Sequence, residues 1–428
     1  MYLKNIRSGI LLQIYKIIFK FMFSILVARA LSTEEYGQIT YFFLVFNLLS
    51  SYGHLGVING ISYFSKTDLC DIKKQFNTNI TYLIFNVMFL FVGICITPLG
   101  EIVLPETKWI YQMIGILYVL FNYLYIALEA YYISKEEIYK SNKYISRGLL
   151  ISSIGLLICF VLNRISFETY LLLHLLEVVV IFVMLYANSG FKYNISFDWD
   201  FFKREIKYGN IIFWAALFGY MNYRIDQLMI KFQLGDSQLG VYSVAVTLAE
   251  LVLLIPNSIS SSLSGRLLNA KDEKDAKQIV SLTIKGTMYL CIVVAGIGYF
   301  CSPLIGILYG KAYEGASSSF SILLIGVCAA AVGKTVYPYY VVRGKAKIHL
   351  FMTILIVCVN TCMNYILIPR YGIEGAAVAS NISYFVYGGG YILFLKFKEK
   401  VRLRDMLLIQ KEDIEMLKRS LRHADRIL

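Results

Sequence analysis

The sequence has few charged residues, only four histidines and no pair of cysteines in a CxxC arrangement. Of its 428 residues, 16% are charged and 58% are hydrophobic. The apolar residues come in blocks of about twenty and lack the polar face that a soluble helix needs. The histidines are far apart, and most of the eight cysteines lie inside apolar blocks. These absences exclude a soluble protein and leave a zinc site almost without support.

Positive charge exceeds negative charge, but the cations do not form one patch. The formal net charge is +13, and the basic residues occur as short runs between the apolar blocks. Nucleic-acid-binding proteins concentrate their cations on one face, so we predict no nucleic-acid partner. Lys4 and Arg7 precede a long apolar run without a small-residue cleavage site after it, which predicts a retained first helix.

The apolar blocks predict twelve transmembrane helices, because one span needs about twenty residues. The predicted spans are residues 10–31, 37–64, 80–100, 109–133, 147–163, 168–188, 208–233, 238–263, 282–302, 316–342, 348–368 and 372–396. The predicted domains are an N-terminal six-helix lobe (1–190), a charged cytoplasmic connector (191–207), a C-terminal six-helix lobe (208–397) and an amphipathic cytoplasmic tail (398–428). A solvated helix is an equally good interpretation of the tail.

The basic residues also orient the chain, since Lys and Arg in short loops resist translocation. The loops on one side, together with both termini, hold most of the 41 Lys and Arg. The opposite loops hold only Lys108, Arg164, Lys311 and Arg370. Both termini are therefore predicted to lie in the cytoplasm. The opposite loops are short, so we expect the functional site to lie within the membrane.

Two short segments recur in the two halves. Leu31–Gly37 aligns with Leu234–Gly240, and Tyr132–Lys135 aligns with Tyr340–Arg343, each at the end of a predicted helix. This recurrence predicts two parallel six-helix repeats related by an axis along the membrane normal. Such an arrangement places a cavity between the repeats at mid-membrane.

Several strings resemble those of one family of membrane proteins. They are Ala28–Gly37, Tyr223–Leu228, Leu239–Ala245, Leu254–Ser258, Tyr309–Ala316 and Asn364–Ala377. Their order and spacing also fit, and they extend over most of the chain. The sequence resembles the Wzx-type O-antigen and capsule flippases of the multidrug, oligosaccharidyl-lipid and polysaccharide exporter superfamily.

The resemblance implies an all-α, MATE-like protein of the inner membrane. Its expected activity is to move an undecaprenyl-diphosphate-linked oligosaccharide from the cytoplasmic to the outer leaflet by alternating access. No covalent step is involved, so no catalytic residue and no cofactor are expected, and coupling to protons or sodium ions stays open. The expected partners are the lipid-linked oligosaccharide and the bilayer, with a polysaccharide polymerase and a chain-length regulator as candidates.

Four cations inside or at the margins of the spans are candidate substrate-binding residues: Arg224, Lys334, Lys20 and Arg29. A charge at the centre of a span costs roughly 3 kcal/mol, so it usually faces a cavity, a partner or water. A diphosphate is a concentrated anion that several Lys or Arg can bind. Snorkelling to the interface is an equal alternative for Lys20. An interfacial role competes for Arg29, where the family string favours function.

Three acids, Asp226, Glu177 and Glu250, are candidates for a coupling-ion site or for structural pairing with the cations. In the predicted span 208–233, Arg224 and Asp226 lie on different faces of an ideal helix. We therefore expect each of them to find its partner on another helix.

Two other functions are consistent with this hydrophobicity. A membrane-embedded polymerase or glycosyltransferase should have a long outer loop or an acidic metal-binding cluster, and the sequence displays neither. A drug or cation exporter of the same superfamily should have a more acidic cavity, and the cations within the spans argue against it.

Overall fold

A computed structural model describes residues 2–65, 71–105, 107–268, 270 and 272–410. Helices and connecting turns account for these residues, and no strand occurs among them. Within the same ranges, ten helices are long and apolar enough to cross a membrane. The prediction of an all-α, multi-pass membrane protein is confirmed. The count of twelve spans and the cytoplasmic location of the termini remain predictions.

The helices before residue 223 are α1 (Tyr2–Ala30), α2 (Thr33–Tyr52), α3 (Val57–Phe64), α4 (Ile72–Phe91), α5 (Leu99–Val103), α6 (Trp109–Ser134), α7 (Ile138–Val161), α8 (Phe167–Ala187) and α9 (Trp199–Asn222). The later ones are α10 (Ile225–Leu234), α11 (Asp236–Leu268), α12 (Glu273–Cys301), α13 (Leu304–Tyr309), α14 (Ala316–Val342), α15 (Ala346–Phe397) and α16 (Leu403–Leu407). A π-helical turn (Val92–Ile96) follows α4, and a 3₁₀ turn (Lys311–Tyr313) follows α13.

The chain forms two compact units. The first comprises Met1–Leu217 and Asp236–Gly240, and the second comprises Phe218–Gly235 and Val241–Leu428. The boundaries predicted for the lobes, the connector and the tail remain predictions.

The structure interrupts two of the predicted helices. Span 37–64 is divided between α2 and α3, and span 208–233 is divided at Tyr223 and Arg224, between α9 and α10. Spans 348–368 and 372–396 both lie in the 52-residue element α15, which consists of two helices joined across a kink at Gly372 (φ 57°, ψ −138°), as the two predicted spans require. A side chain is strained in this conformation, so glycine suits the position.

Helix α6 is central in the first unit, where it packs against α2, α3, α4, α7 and α8. Tyr123 and Tyr131 of α6 are fully buried, as is Phe46 of α2. The ring of Phe46 occupies the space beside Gly115, where a Cβ atom would lie 2.3 Å from the ring. Small residues allow such close packing of helices in lipid, where van der Waals contact replaces the hydrophobic effect.

The repeated segments of the sequence contact one another within the first unit. A Cβ on Gly37 would lie 1.8 Å from the carbonyl oxygen of Asp236, and a Cβ on Gly240 would lie 2.1 Å from that of Thr33. In the repeat alignment Gly37 corresponds to Gly240 and Thr33 corresponds to Asp236. The two contacts are therefore equivalent, because each glycine packs against the residue at which the other glycine's helix begins. A hydrogen bond of 2.8 Å joins the hydroxyls of Thr33 and Ser237 at the same place.

The second unit is built around α14 and α15, which pack closely against each other, and α12 packs against α14. Tyr339 and Tyr340 of α14 and Tyr391 of α15 are fully buried in this core. Gly333 of α14 faces the ring of Tyr387, where a Cβ would lie 2.2 Å from the ring. Glycines in the apolar helices thus make room for large aromatic side chains.

Parts of the predicted connector and tail are packed into the two units. Helix α9 begins at Trp199, and Glu205 on its second turn is fully buried in the first unit. In the second unit, Met406 of α16 is fully buried, and the Tyr289 hydroxyl of α12 donates to the carbonyl of Leu407 at 3.1 Å. The rest of the predicted tail, 411–428, lies outside the described residues.

Candidate functional site

The break between α9 and α10 places Arg224 at the start of α10, with backbone angles of φ −129° and ψ −16°. Its guanidinium makes an ion pair of 2.9 Å with Glu250 of α11 and donates to the side chain of Gln227 at 3.3 Å. It also lies 5.8 Å from the centre of the Tyr220 ring. The side chains of Arg224 and Glu250 are 23% and 19% exposed, so the pair is open to solvent or a ligand.

Lys334 of α14 lies close to the same acid. Its ammonium donates to the Asn257 side chain of α11 at 2.9 Å and lies 4.7 Å from the centre of the Tyr223 ring. Glu250 acts electrostatically on Lys334 as well as pairing with Arg224. The structure therefore brings together three of the seven predicted site residues, two cations and one acid, within the second unit.

This cluster can bind an anion. A guanidinium presents several donors in one plane and suits the oxygens of a phosphate, and an ammonium adds a compact positive charge. The cluster has two cations and one carboxylate, which pairs with Arg224, so it keeps an excess of positive charge. The rings of Tyr220 and Tyr223 beside it add apolar faces that can pack against a sugar.

Asp226 lies in a different environment, in the buried polar core of the second unit. It is 3% exposed, and its carboxylate accepts from the Tyr242 hydroxyl at 2.6 Å, the Ser380 hydroxyl at 3.1 Å and the backbone N–H of Gln227 at 2.7 Å. Asp226 and Arg224 both take partners from other helices, in agreement with the helix geometry. The hydrogen bonds of Asp226 favour a structural role, and a coupling-ion role remains a prediction.

Two buried asparagines support the helix break. The Asn360 side chain of α15 donates to the carbonyl of Asn222, the last residue of α9, at 2.8 Å. Asn364, one turn further along, donates to the carbonyl of Asn360 at 3.0 Å. A broken helix inside a membrane leaves carbonyl groups without partners, and neighbouring side chains must satisfy them. The sequence analysis missed both residues, although a polar residue in an apolar helix is a usable signal.

The sequence analysis also missed the neighbours of the cations, Tyr220, Tyr223 and Asn257. Tyrosine is abundant in this chain, with 34 copies, and nothing in the sequence marks these two. Asn257 follows Pro256 in α11, and a polar residue next to a proline inside an apolar helix is the one available signal.

The remaining predicted site residues belong to the first unit. Lys20 and Arg29 are exposed on α1, and Arg29 lies in the last turn of this helix. Glu177 of α8 accepts a hydrogen bond of 2.7 Å from the Ser152 hydroxyl of α7. The roles assigned to these three residues remain predictions.

Most of the string Ala28–Gly37 is explained by architecture. The Ser32 side chain accepts from the backbone N–H of Glu35 at 3.2 Å, and the Glu35 carboxylate accepts from the backbone N–H of Ser32 at 3.0 Å. This capping box starts α2, and Gly37 makes the close contact described above. The pattern Ser-x-x-Glu is recognisable in a sequence. The string therefore gives Arg29 less support as a substrate ligand than it did in the sequence analysis.

Sequence comparison decides the family. Residues 26–318 match the pattern of a family described as "Polysaccharide biosynthesis protein". The chain belongs to this polysaccharide biosynthesis family. The matched range includes Arg224 and Glu250 and ends before Lys334.

A relative of this chain agrees with this assignment. The chain is 25% identical over 204 residues to the "Putative O-antigen transporter" of Shigella flexneri, and the match covers 46% of this chain and 48% of that protein. The chain thus spans about half the length of this curated relative. The predicted resemblance to polysaccharide-repeat flippases of this superfamily is confirmed at the level of the family.

The fold of this chain is similar to the folds of solved transporter structures. It is similar to lipid II flippase MurJ in an inward closed conformation, with a TM-score of 0.76, 17% identity, and 96% and 91% of the two chains covered. A MATE family multidrug resistance transporter of the MOP superfamily, in an inward-facing conformation, gives a TM-score of 0.72, 14% identity, and 90% and 94% covered. The MATE-like fold is confirmed. Within the part of the chain that the structure describes, no group of three His, Cys, Asp or Glu is placed to hold a metal.

Proposed function

We propose that the protein is a transporter that flips a lipid-linked oligosaccharide from the cytoplasmic to the outer leaflet of the inner membrane by alternating access. We further propose that the lipid carrier is undecaprenyl diphosphate and that the sugar is a repeat unit of O-antigen or of a capsular polysaccharide. The family and the name of the Shigella relative support this proposal. The observation that carries it is the cluster of Arg224, Lys334 and Glu250 inside apolar helices.

The chemistry of the proposed substrate suits this cluster. A diphosphate in a membrane loses water and needs cations to replace it, and Arg224 and Lys334 are two such cations. Glu250 holds Arg224 and Asn257 holds Lys334 before the substrate arrives, and a phosphate must take their place as partner. Tyr220 and Tyr223 lie beside the cations, where the first sugar would follow the diphosphate.

The further parts of the proposal concern coupling and partners. We propose coupling to protons or sodium ions, with Asp226 as a candidate because it is a buried carboxylate next to the helix break. A polysaccharide polymerase and a chain-length regulator are the proposed protein partners, since they would use the flipped repeat units.

The first experiment replaces the two cations singly, as Arg224→Gln and Lys334→Gln, in a strain that depends on this chain for its surface polysaccharide. Each loses a charge-assisted hydrogen bond to the diphosphate, so we expect transport to fall about tenfold or more. The measurement is surface polysaccharide together with lipid-linked repeat units that accumulate on the cytoplasmic side. Lys347→Gln removes an exposed lysine of α15 and should leave both unchanged.

A double variant separates substrate binding from structural pairing. In Arg224→Gln alone, Glu250 is left without its ion pair, which is itself destabilising. Arg224→Gln with Glu250→Gln removes both charges. If Arg224 only neutralises Glu250, the double variant regains transport, and this result would overturn the proposed site. If Arg224 binds the diphosphate, the double variant stays as inactive as the single one.

The same variants distinguish a drug or cation exporter, the alternative that Glu250 favours. In such a protein Glu250→Gln alone abolishes transport, because the acid binds the cationic substrate. In the flippase, Glu250→Gln removes a competitor of the diphosphate and leaves transport in place. Loss of transport in Glu250→Gln, with activity retained in Arg224→Gln, would therefore favour the exporter.

A further inference from the structure

A second basic site lies in the second unit, apart from the cluster of Arg224 and Lys334. It is a cavity of about 410 Å³ between the first turns of α12 and the segment that follows α15. Among the described residues, five cations and one acid, Asp405, line it. The cations are Lys274, Lys277, Lys285, Lys400 and Arg402. We call this cavity the basic pocket.

Well-defined contacts hold the segment that closes the basic pocket. The carboxylate of Glu399 is 6% exposed and contacts the ammonium of Lys345 at 2.7 Å, the hydroxyl of Tyr339 at 3.2 Å and the ammonium of Lys277 at 3.5 Å. These partners hold the pKa of Glu399 below its usual range, although burial alone would raise it. The backbone N–H of Val401 donates to the carbonyl of Leu395 at 3.0 Å. The cavity is therefore part of the fold.

The backbone at the mouth of the pocket is unusual. Lys400 has a φ of 56°, a region that residues other than glycine seldom adopt. This conformation turns the chain at Lys400. Both Lys400 and Arg402, two residues further on, line the cavity. Strain of this kind occurs where the surrounding structure over-determines a conformation, often at binding sites.

The charges of the pocket favour an anion. Lys277 is already paired with Glu273 at 2.9 Å and with Glu399. In contrast, Lys400 and Arg402 make no ion pair with any described residue. Lys285 adds a third cation to this lining and is 5% exposed. The pocket therefore has the charge and the donors to bind a phosphate group.

The surroundings of the pocket indicate where that phosphate comes from. Leu403, Leu408 and Ile409, on the same segment, are 37%, 55% and 54% exposed. Phe397 is 68% exposed and lines an apolar groove along α15 that ends at Lys398, two residues before Lys400. Exposed apolar side chains next to cations are typical of the membrane interface, where the acyl chains and the headgroup of one lipid lie side by side.

We propose that the basic pocket binds the phosphate headgroup of an anionic glycerophospholipid. The pocket lies at the membrane surface that the distribution of Lys and Arg predicts to face the cytoplasm. This lipid is distinct from the transported substrate, and its binding does not depend on the proposed transport function. It fixes the segment after α15 to α12, and thereby stabilises the second unit.

The test uses the purified full-length protein in nanodiscs of neutral phosphatidylcholine, titrated with short-chain phosphatidylglycerol. Lys400→Gln with Arg402→Gln should weaken binding about 25-fold, because each cation near an anionic lipid contributes a factor of about five. The matched control is Lys396→Gln with Arg404→Gln, two exposed cations of the same region that do not line the pocket. The control should bind as the wild type does. Equal binding by wild type and both double variants would overturn the proposal.

Two further arms define the ligand and guard against misfolding. Inorganic phosphate and pyrophosphate, added without lipid, should bind weakly. If either binds as tightly as phosphatidylglycerol, the pocket takes a soluble anion and the lipid is the wrong source. Lys400→Arg with Arg402→Lys keeps both charges and should keep binding. If this variant loses binding while its thermal unfolding in neutral lipid is unchanged, charge is not the cause and the proposal fails.

Discussion

Glu205 is a carboxyl group that the fold removes from water without a cationic partner among the residues that the structure describes. It is fully buried in the first unit, where its Oε1 accepts from the side chains of Gln75 at 2.7 Å and Asn79 at 3.4 Å. Its Oε2 has no hydrogen-bond partner among the described residues. Burial raises the pKa of Glu205 to about 8, although the amide hydrogen bonds lower it. With a pKa of about 8, this carboxyl group is protonated at neutral pH.

The stability of the first unit should therefore depend on pH. A glutamate in an unfolded chain has a pKa of about 4.3. The folded state thus holds a proton that the unfolded state has released, and the stabilisation is full below about pH 4 and lost as the pH rises through about 8. We expect the midpoint of thermal unfolding, followed by tryptophan fluorescence, to fall between pH 5 and pH 9. In Glu205→Gln this fall should be smaller, and an identical fall in both proteins would contradict the prediction.

The close contact of α2 with α11 is the clearest constraint at the scale of elements. Gly37 and Gly240 each lie against a backbone carbonyl, and a backbone atom cannot move aside as the end of a flexible side chain can. The contact joins the first turns of the two helices, and the capping box of Ser32 and Glu35 fixes where α2 starts. The positions of these helix ends are therefore set by a few residues.

Gly37→Ala and Gly240→Ala should each destabilise the protein by about 1 to 3 kcal/mol, as overpacking does. Their effects should be similar, because the two contacts are equivalent. Gly296→Ala on α12 is the matched control, since a Cβ there meets nothing within 4 Å. This control should be neutral or slightly stabilising because alanine is the better helix former. Thermal unfolding in detergent measures all three, and similar midpoints for Gly37→Ala and Gly296→Ala would show that the contact carries no strain.

The sequence predicted the elements better than their breaks. Apolar blocks of the right length are visible without a structure, and the all-α membrane fold follows from them. A break after Pro369 and at Gly372 also has a local signal. The break before Arg224 has none, because no proline or glycine is present among Asn222, Tyr223 and Arg224. Its cause is tertiary, since Asn360 of a distant helix takes up the freed carbonyl.

The same limit applies to the candidate site. Arg224 and Lys334 were predicted because a cation in an apolar span is conspicuous. Their grouping around Glu250 depends on how α10, α11 and α14 pack, and a single sequence contains no record of that packing. The prediction that Arg224 needs a partner from another helix was correct because it rests only on helix periodicity.

At the scale of the whole molecule, the orientation in the membrane can be tested directly. In a background in which all eight native cysteines are replaced by serine, cysteines placed at Arg164 and Lys311 should react with an impermeant maleimide in intact cells. A cysteine at Lys347 should react only after the cells are made permeable. All three positions are exposed, so reactivity reports the side of the membrane. Labelling of Lys347→Cys in intact cells would contradict the cytoplasmic location of that loop.

The ion pair between Glu250 and Arg224 affects how tightly the site can hold an anion. Because Glu250 already serves as the counter-ion of Arg224, arrival of a ligand at Arg224 is an exchange of one negative partner for another. Departure does not leave Arg224 as a bare cation in a poorly hydrated place, since the resident carboxylate returns to it. Such a site is built for modest affinity and ready release, which a carrier needs as much as it needs recognition.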